Sequence, residues 1–144
     1  MTAKHDALNV LLADYQILYQ KLRSYHWNVQ GPMFFELHAK FEELYLDAAQ
    51  KVDELAERIL AVGGRPVSSL KGALKLARLK EDEGGLPAAE MVANLVDDFG
   101  ALNVELRAAA KLAASDNDAA TFNLLEGMAD GQEKTAWMLR AFLA

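Results

Sequence analysis

The sequence contains no cysteine, only three prolines and no long apolar run. Without cysteine there can be no disulfide, no thiol catalysis and no iron–sulfur cluster held by thiolates. No run of apolar residues approaches the ~18 that a membrane-spanning helix requires. The first residues, Met1 to Asp6, lack the basic and then apolar layout of a secretory signal. We therefore expect a cytoplasmic protein.

Basic residues are also scarce. The chain has 15 Lys and Arg residues against 21 Asp and Glu residues, and its net charge is −6. Lysine and arginine supply most of the nonspecific affinity of proteins for DNA because they neutralise phosphates, and only Lys4 precedes the first helical pattern. DNA binding is therefore not expected. An acidic surface is compatible with attracting metal cations, or with solubility alone.

Apolar residues recur at spacings of three and four in four long segments, and almost nothing has the pattern of a strand. The 144 residues suit a single domain, 1–144, with a substantial core. Between the second and third segments, Ser68 or Ser69 is placed to cap a short helix from Leu70 to Leu79. The pattern predicts an all-α four-helix bundle with a short extra helix in the long crossover between helices 2 and 3, which is the ferritin-like connection. The long segments run from Leu8 to Val29, Leu37 to Val62, Pro87 to about Ala114, and about Thr121 to Leu143.

Two histidines lie on either side of the first turn. Gly31-Pro32 interrupts the helical pattern, and His26 lies six residues before Pro32 while His38 lies six residues after it. In two antiparallel helices, each histidine would be about 9 Å from the turn at a rise of about 1.5 Å per residue. The two imidazoles are therefore predicted to be level with each other, as two ligands of one metal would have to be.

The second helix carries three carboxylates on the same side as His38. On a helical wheel Glu42, Asp53 and Glu57 fall within about 100° of His38 and beside the apolar face. Asp53 lies fifteen residues after His38, roughly 22 Å along the axis, so one subunit cannot place both on the same ion. Two such helices packed antiparallel about a two-fold axis would bring His38 of one chain to Asp53 and Glu57 of the other. This geometry predicts a shared site for iron or a similar divalent metal.

Each of these residues also has a simpler interpretation. A histidine on a helix is often buried and hydrogen-bonded in the core. Asp53 and Glu57 alone would usually form a solvated face, in which Lys51 and Arg58 could pair with them. The combined spacing favours the metal site, because chance seldom aligns two histidines across a turn with an acidic pair on the same stripe.

The segments from His26 to Val29, Phe34 to His38 and Asp53 to Ile59 resemble the Dps family, the mini-ferritins. The spacings from His26 to the other three ligand candidates match those of the family's ferroxidase ligands. The likeness covers nearly the whole chain, and it includes Leu18 to Arg23, Gly64-Arg65-Pro66 and Trp137-Met138.

The resemblance implies a hollow homo-dodecamer built from two-fold dimers. It also implies that Fe(II) is oxidised at the dimer interfaces, preferably by hydrogen peroxide, and stored inside as ferric mineral, which protects against oxidative stress. His26 and His38 would be one subunit's catalytic and metal ligands, and Asp53 and Glu57 would be the partner's. Iron is the implied metal, with zinc as an ion that can substitute for it. Many members have an aspartate where this chain has Glu42, so Glu42 is a further candidate ligand, either direct or through water.

Two further features of the family are matched more loosely. Trp27, together with Tyr25, adjoins the site, and such a tryptophan is thought to intercept oxidising equivalents; a packed interface aromatic is the alternative. Acidic residues on and just before the fourth helix resemble the acidic three-fold pore of the family. The alternative is that they form a plain solvated face. The candidate pore residues are Asp116, Asp118, Asn123, Glu126, Asp130 and Glu133.

Three other functions compete with the mini-ferritin. A nucleoid protein that binds DNA would need basic residues, and the tail that would supply them is absent; salt-dependent retardation of DNA would revive this alternative. Other di-iron proteins carry Glu-x-x-His pairs inside one bundle, and no glutamate here is followed three residues later by histidine. A purely structural bundle would bind no iron stoichiometrically.

Overall fold

Five helices follow one another in the computed structural model, which describes residues 2–144. They are α1 (Ala3–Asn28), α2 (Phe34–Ala61), α3 (Leu70–Leu76), α4 (Ala88–Ser115) and α5 (Ala119–Leu143), and the described range contains no strand. Helix α1 packs along α2, α4 packs along α5, and α1 also contacts α3 and α4. The predicted all-α bundle with an extra helix in the crossover is confirmed.

The core lies along the shared axis of the four long helices. Its largest fully buried side chains include Tyr15, Tyr25, Phe41, Leu55 and Met91. These residues come from the apolar stripes at spacings of three and four, and each large apolar side chain contributes about 1.5–3 kcal/mol when it is removed from water. None of the helices between residues 2 and 144 combines the length and the apolar character that a bilayer crossing requires.

Polar side chains cap the N-termini of α1 and α3. Helix α1 begins with a reciprocal cap, in which the Thr2 hydroxyl accepts from the His5 N–H and the His5 Nδ1 accepts from the Thr2 N–H. Ser69 caps α3 by accepting from the N–H of Gly72, which confirms the second of the two predicted caps. The chain reverses between α1 and α2 at Gly31, whose φ of +113° suits glycine.

Helix α3 is shorter than the sequence predicts, because it ends at Leu76 instead of Leu79. The backbone N–H groups of Arg78 and Leu79 donate to Oδ1 of Asp14 on α1, at 2.6 and 3.1 Å. The Arg78 guanidinium also donates to Oδ2 of the same carboxylate. This buried acceptor draws the chain out of the helix, so the boundary is set by a contact with a distant part of the sequence.

Candidate metal centre

His26 and His38 stack face to face beside the turn that joins α1 and α2. Their ring centroids are 3.8 Å apart and their planes differ by 10°. The Nδ1 of His26 lies 2.6 Å from the carbonyl oxygen of His38, and the Nδ1 of His38 lies 2.7 Å from the carbonyl oxygen of His26. The prediction that the two histidines are level with each other is confirmed.

These reciprocal hydrogen bonds fix the tautomer of both imidazoles. A carbonyl oxygen only accepts, so each Nδ1 must carry a proton, and in the neutral ring the lone pair is then on Nε2. Neither Nε2 atom forms a hydrogen bond within residues 2–144. A histidine whose one nitrogen donates to a backbone carbonyl while the other is free has the orientation typical of a metal ligand.

The stacking also bears on how many ions the pair can hold. A metal prefers to lie in the plane of the imidazole that binds it, along the Nε2 lone pair. Two nearly parallel planes do not meet close to the rings, so one ion cannot lie well in both. The stacked arrangement therefore disfavours a single ion bound by both rings.

Two aromatic side chains of α2 hold the histidine pair in place. Phe34, one turn before His38, stacks on its ring at 4.9 Å with planes 19° apart. Tyr45 meets the ring of His26 edge-on, at 5.4 Å and 76°. His26 is buried and His38 is half-buried, so packing as well as hydrogen bonding restricts both rings.

Glu42 lies next to the pair, one turn after His38. Its Oε1 is 4.0 Å from Nε2 of His26, which is too long for a hydrogen bond. The hydroxyl of Tyr45 donates to the same oxygen at 3.4 Å. Among the three candidate carboxylates, Glu42 alone lies next to the histidines within residues 2–144.

Asp53 and Glu57 lie far from the histidines, on exposed positions of α2. Helix α2 is continuous from Phe34 to Ala61, so the axial separation of roughly 22 Å between His38 and Asp53 stands. Within residues 2–144 neither carboxylate forms an ion pair or a side-chain hydrogen bond.

The two nearby cations have other partners. Lys51 pairs with Asp47 at 2.6 Å, and Arg58 donates to Thr121 and Asp118. Lys51 and Arg58 therefore do not pair with Asp53 and Glu57 within residues 2–144, although both carboxylates do lie on an exposed face of α2. As placed within residues 2–144, no three His, Asp or Glu side chains form a group that could hold a metal ion.

The candidate pore residues are mostly engaged within the chain. Asp118 accepts from Lys4, Arg58 and Thr121, and Arg107 pairs with both Glu126 and Glu133. Asn123 instead lines an open groove of about 560 Å³ between α2 and α5, with acidic residues of α2 on the opposite wall. The six residues therefore do not form one free acidic surface within the chain.

Of the two aromatic residues expected beside the site, only one faces outward. Trp27 is 56% exposed, and the Arg23 guanidinium lies 5.0 Å from its ring centre. Tyr25 is fully buried, and its hydroxyl donates to Asp82 of the crossover at 2.7 Å. Burial raises the pKa of Tyr25 well above its usual range. Tyr25 therefore belongs to the core and the crossover, not to the histidine pair.

Sequence reasoning missed Tyr45 and the stacking role of Phe34. Both lie at helical spacing from the ligand candidates, since Phe34 precedes His38 by four residues and Tyr45 follows Glu42 by three. That spacing is the signal that could have found them, although an aromatic residue at such a position is more often part of the core.

The bundle and its histidine pair define a ferritin-like protein, and the family described as a ferritin-like domain matches residues 5–144. Two individual relatives indicate which family of ferritin-like proteins the chain resembles. The DNA protection during starvation protein of Brevibacillus brevis is 48% identical over 136 residues, covering 94% of this chain and 91% of that protein. The Dps crystal structure from Staphylococcus aureus is 42% identical, covers 98% of this chain and 95% of that one, and has a TM-score of 0.95.

A third comparison adds a chemical description. The Dps protein of Vibrio cholerae O1 is 46% identical, covers 98% of this chain and 89% of that one, and has a TM-score of 0.95. It is described as a member of a broad superfamily of ferritin-like diiron-carboxylate proteins. The chain belongs to the Dps family of ferritin-like proteins.

Proposed function

We propose that this protein oxidises and stores iron, with Fe(II) as a substrate and with its ferroxidase sites at two-fold dimer interfaces. The observation that carries the proposal is the stacked pair of His26 and His38. Each imidazole has its Nδ1 bound to a carbonyl and its Nε2 free, so the pair is oriented for metal before any ion arrives. A histidine that served only the core would also be hydrogen-bonded, so the proposal depends on the free Nε2 atoms of two level rings and not on the Nδ1 bonds alone.

The carboxylates of the proposed site come from the partner subunit. Asp53 and Glu57 lie on the same helix as His38 but roughly 22 Å away, and neither is neutralised within residues 2–144. A two-fold axis across α2 pairs the histidine end of one helix with the carboxylate end of the other. His26 and His38 of one chain and Asp53 and Glu57 of the next then form a mixed imidazole and carboxylate shell suited to Fe(II).

Two adjacent ions suit hydrogen peroxide as the oxidant. One peroxide takes one electron from each of two Fe(II) ions and two protons, giving two Fe(III) ions and two waters. Because both electrons are delivered together, no hydroxyl radical is released. We propose that the ferric product is stored as mineral inside a hollow homo-dodecamer, and that removing both Fenton reagents protects the cell from oxidative damage. Zinc and similar divalent ions would compete for the same ligands.

DNA binding is the alternative function, and the names of the relatives raise it. The net charge of −6 opposes binding to a polyanion. Protection of DNA does not require contact with DNA if the reagents that form hydroxyl radical are consumed elsewhere. We therefore propose protection through iron chemistry and not through a DNA complex.

The test is to load the protein with a known ratio of Fe(II) and then to measure the size of the particle that carries the iron. The protein is loaded with Fe(II) without oxygen, hydrogen peroxide is added, and iron and protein are monitored together during size exclusion. We expect ferric iron to co-elute with a particle of about twelve subunits. His38→Ala should lose this iron, whereas Glu90→Gln, which removes an exposed carboxylate from α4, should keep it.

Iron that precipitates away from a monomer or dimer would contradict the proposal. Equal loading of the wild type and His38→Ala would also contradict it, because mineral would then form without the histidine pair.

A further inference from the structure

One carboxylate oxygen of Glu42 is approached from two directions. The Tyr45 hydroxyl donates to Oε1 at 3.4 Å, and Nε2 of His26 lies 4.0 Å from the same Oε1. We propose that Tyr45 is a positioning residue, whose hydroxyl holds the carboxylate of the candidate ligand Glu42 beside the histidine pair. This inference rests on the function proposed above.

The 4.0 Å separation fits a metal ion better than it fits a direct contact. It exceeds the 2.7–3.2 Å of an ordinary hydrogen bond between nitrogen and oxygen. Metal bonds to imidazole nitrogen and to carboxylate oxygen are each about 2.0–2.2 Å long, so an ion between Nε2 and Oε1 fits at this distance.

Tyr45 is itself fixed by packing. It is half-buried, its ring meets His26 edge-on at 5.4 Å, and it meets Tyr19 of α1 edge-on at 6.0 Å. The Arg23 guanidinium covers the ring of Tyr19 at 5.1 Å. The ring of Tyr45 is therefore restrained by two residues of α1, Tyr19 and His26, while its hydroxyl donates to Glu42.

A glutamate needs such a restraint more than a shorter carboxylate does. Glu42 is exposed, and a glutamate side chain loses considerable rotamer freedom when it is fixed. A hydrogen bond that already holds the carboxylate before the ion arrives reduces the conformational entropy that the Glu42 side chain loses on metal binding. Partners of this kind, outside the ligands themselves, typically change metal affinity by about 10- to 100-fold when they are removed.

The experiment is a double-mutant cycle on the assembled, metal-free protein with Co(II) as the probe. Wild type, Tyr45→Phe, Glu42→Gln and the double variant are titrated without oxygen, and binding is followed by calorimetry and by the visible spectrum of bound Co(II). Tyr45→Phe removes only the hydroxyl and keeps the ring contacts. Tyr19→Phe is the matched control, because it removes a hydroxyl from the neighbouring ring that has no hydrogen bond to Glu42 within residues 2–144.

We expect Tyr45→Phe to raise the Co(II) Kd about tenfold and to change the spectrum. Glu42→Gln should raise the Kd at least as much, and the double variant should be no weaker than Glu42→Gln alone. Tyr19→Phe should stay within about twofold of the wild type. This non-additivity separates positioning of Glu42 from a general structural effect of Tyr45, which would add to the effect of Glu42→Gln.

Additive losses in the double variant, or a Tyr45→Phe variant that binds Co(II) like the wild type, would overturn the positioning role. The proposed function fails separately, if the wild type binds no more Co(II) than His38→Ala.

Discussion

At the scale of a single residue, Asp118 is an acidic side chain that joins three helices. Its carboxylate accepts from the N–H of Thr121 at 3.1 Å, where it caps α5, and it pairs with Lys4 at 3.0 Å and Arg58 at 3.2 Å. Partial burial alone would raise the pKa of Asp118, but the hydrogen bonds from Thr121 and Lys4 outweigh it and hold the pKa well below the usual range. One carboxylate thus connects α1, α2 and α5.

Substitution of Asp118 should have a pH-dependent effect on stability. Asp118→Ala should destabilise the protein by about 1–2 kcal/mol at neutral pH, the usual range for a lost helix cap. Asp118→Asn should cost less, because the amide oxygen still accepts from Thr121. Chemical unfolding measured from neutral pH down to about pH 3 tests both expectations.

The direction of the pH effect follows from the lowered pKa. The unfolded chain binds this proton more readily than the folded one, so the charge of Asp118 stabilises the fold above the ordinary aspartate pKa of about 3.9. That contribution is lost as the pH falls towards the folded pKa. The stability gap between the wild type and Asp118→Asn should therefore narrow in acid, and a gap that stays constant would contradict this account.

At the scale of an element, the crossover is held to the bundle by a buried acid of α1. Asp14 is 1% exposed and accepts from two backbone N–H groups and the guanidinium of the Arg78 to Leu79 segment. The same guanidinium also pairs with Glu105 of α4. The segment after α3 therefore has a fixed path although it has no regular secondary structure.

Asp14→Ala should loosen this segment and destabilise the fold by about 2–4 kcal/mol, because buried N–H groups and a cation lose their acceptor. Asp14→Asn keeps one oxygen that can accept the backbone bonds, so its cost should be smaller. Hydrogen exchange of the amides of Arg78 and Leu79, together with unfolding free energies, measures both effects. Unchanged exchange in Asp14→Ala would show that the crossover is held by its apolar contacts instead.

At the scale of the whole molecule, the proposed site exists only between subunits. His38→Ala and Asp53→Ala should each abolish rapid Fe(II) oxidation without unfolding the bundle. When the two variants are co-assembled, half of the two-fold dimers are mixed, and one of the two sites in each mixed dimer is intact. Oxidation should therefore recover to about one quarter of the wild-type rate.

The matched control is a mixture of His38→Ala with His26→Ala. Both changes are then on the histidine side, so every site in a mixed dimer carries one damaged ligand, and no recovery is expected. Verified mixed assemblies of His38→Ala and Asp53→Ala that stay inactive would count against ligands shared between subunits.

The sequence predicts those features that depend on helical period alone. The level placement of His26 and His38 follows from equal distances to a Gly-Pro turn, and the separation of His38 from Asp53 follows from the helical rise. The orientation of the imidazoles depends on side-chain torsions and on carbonyls across the turn. The sequence therefore predicts the level placement of the two imidazoles but not their stacking, which disfavours one ion bound by both rings.

Other features depend on partners from distant segments. The end of α3 depends on Asp14, which is more than sixty residues away. Asp118 near the start of α5 pairs with Lys4 and Arg58, and Glu126 and Glu133 pair with Arg107. Local pattern contains no sign of these pairings. Tyr45 was missed for a related reason, since its spacing on α2 is equally compatible with membership of the core.

The unbroken length of α2 has a consequence for the order of events in the cell. Since one rigid helix keeps His38 and Asp53 roughly 22 Å apart, a newly made chain holds only part of the proposed ligand set, whatever its iron supply. The ability to oxidise Fe(II) would therefore arise only when two chains form a dimer. Oxidation would begin only where the cage that stores the ferric product is already assembling. A dilute or unassembled subunit would then be chemically silent towards Fe(II), and free chains would not produce ferric iron in solution.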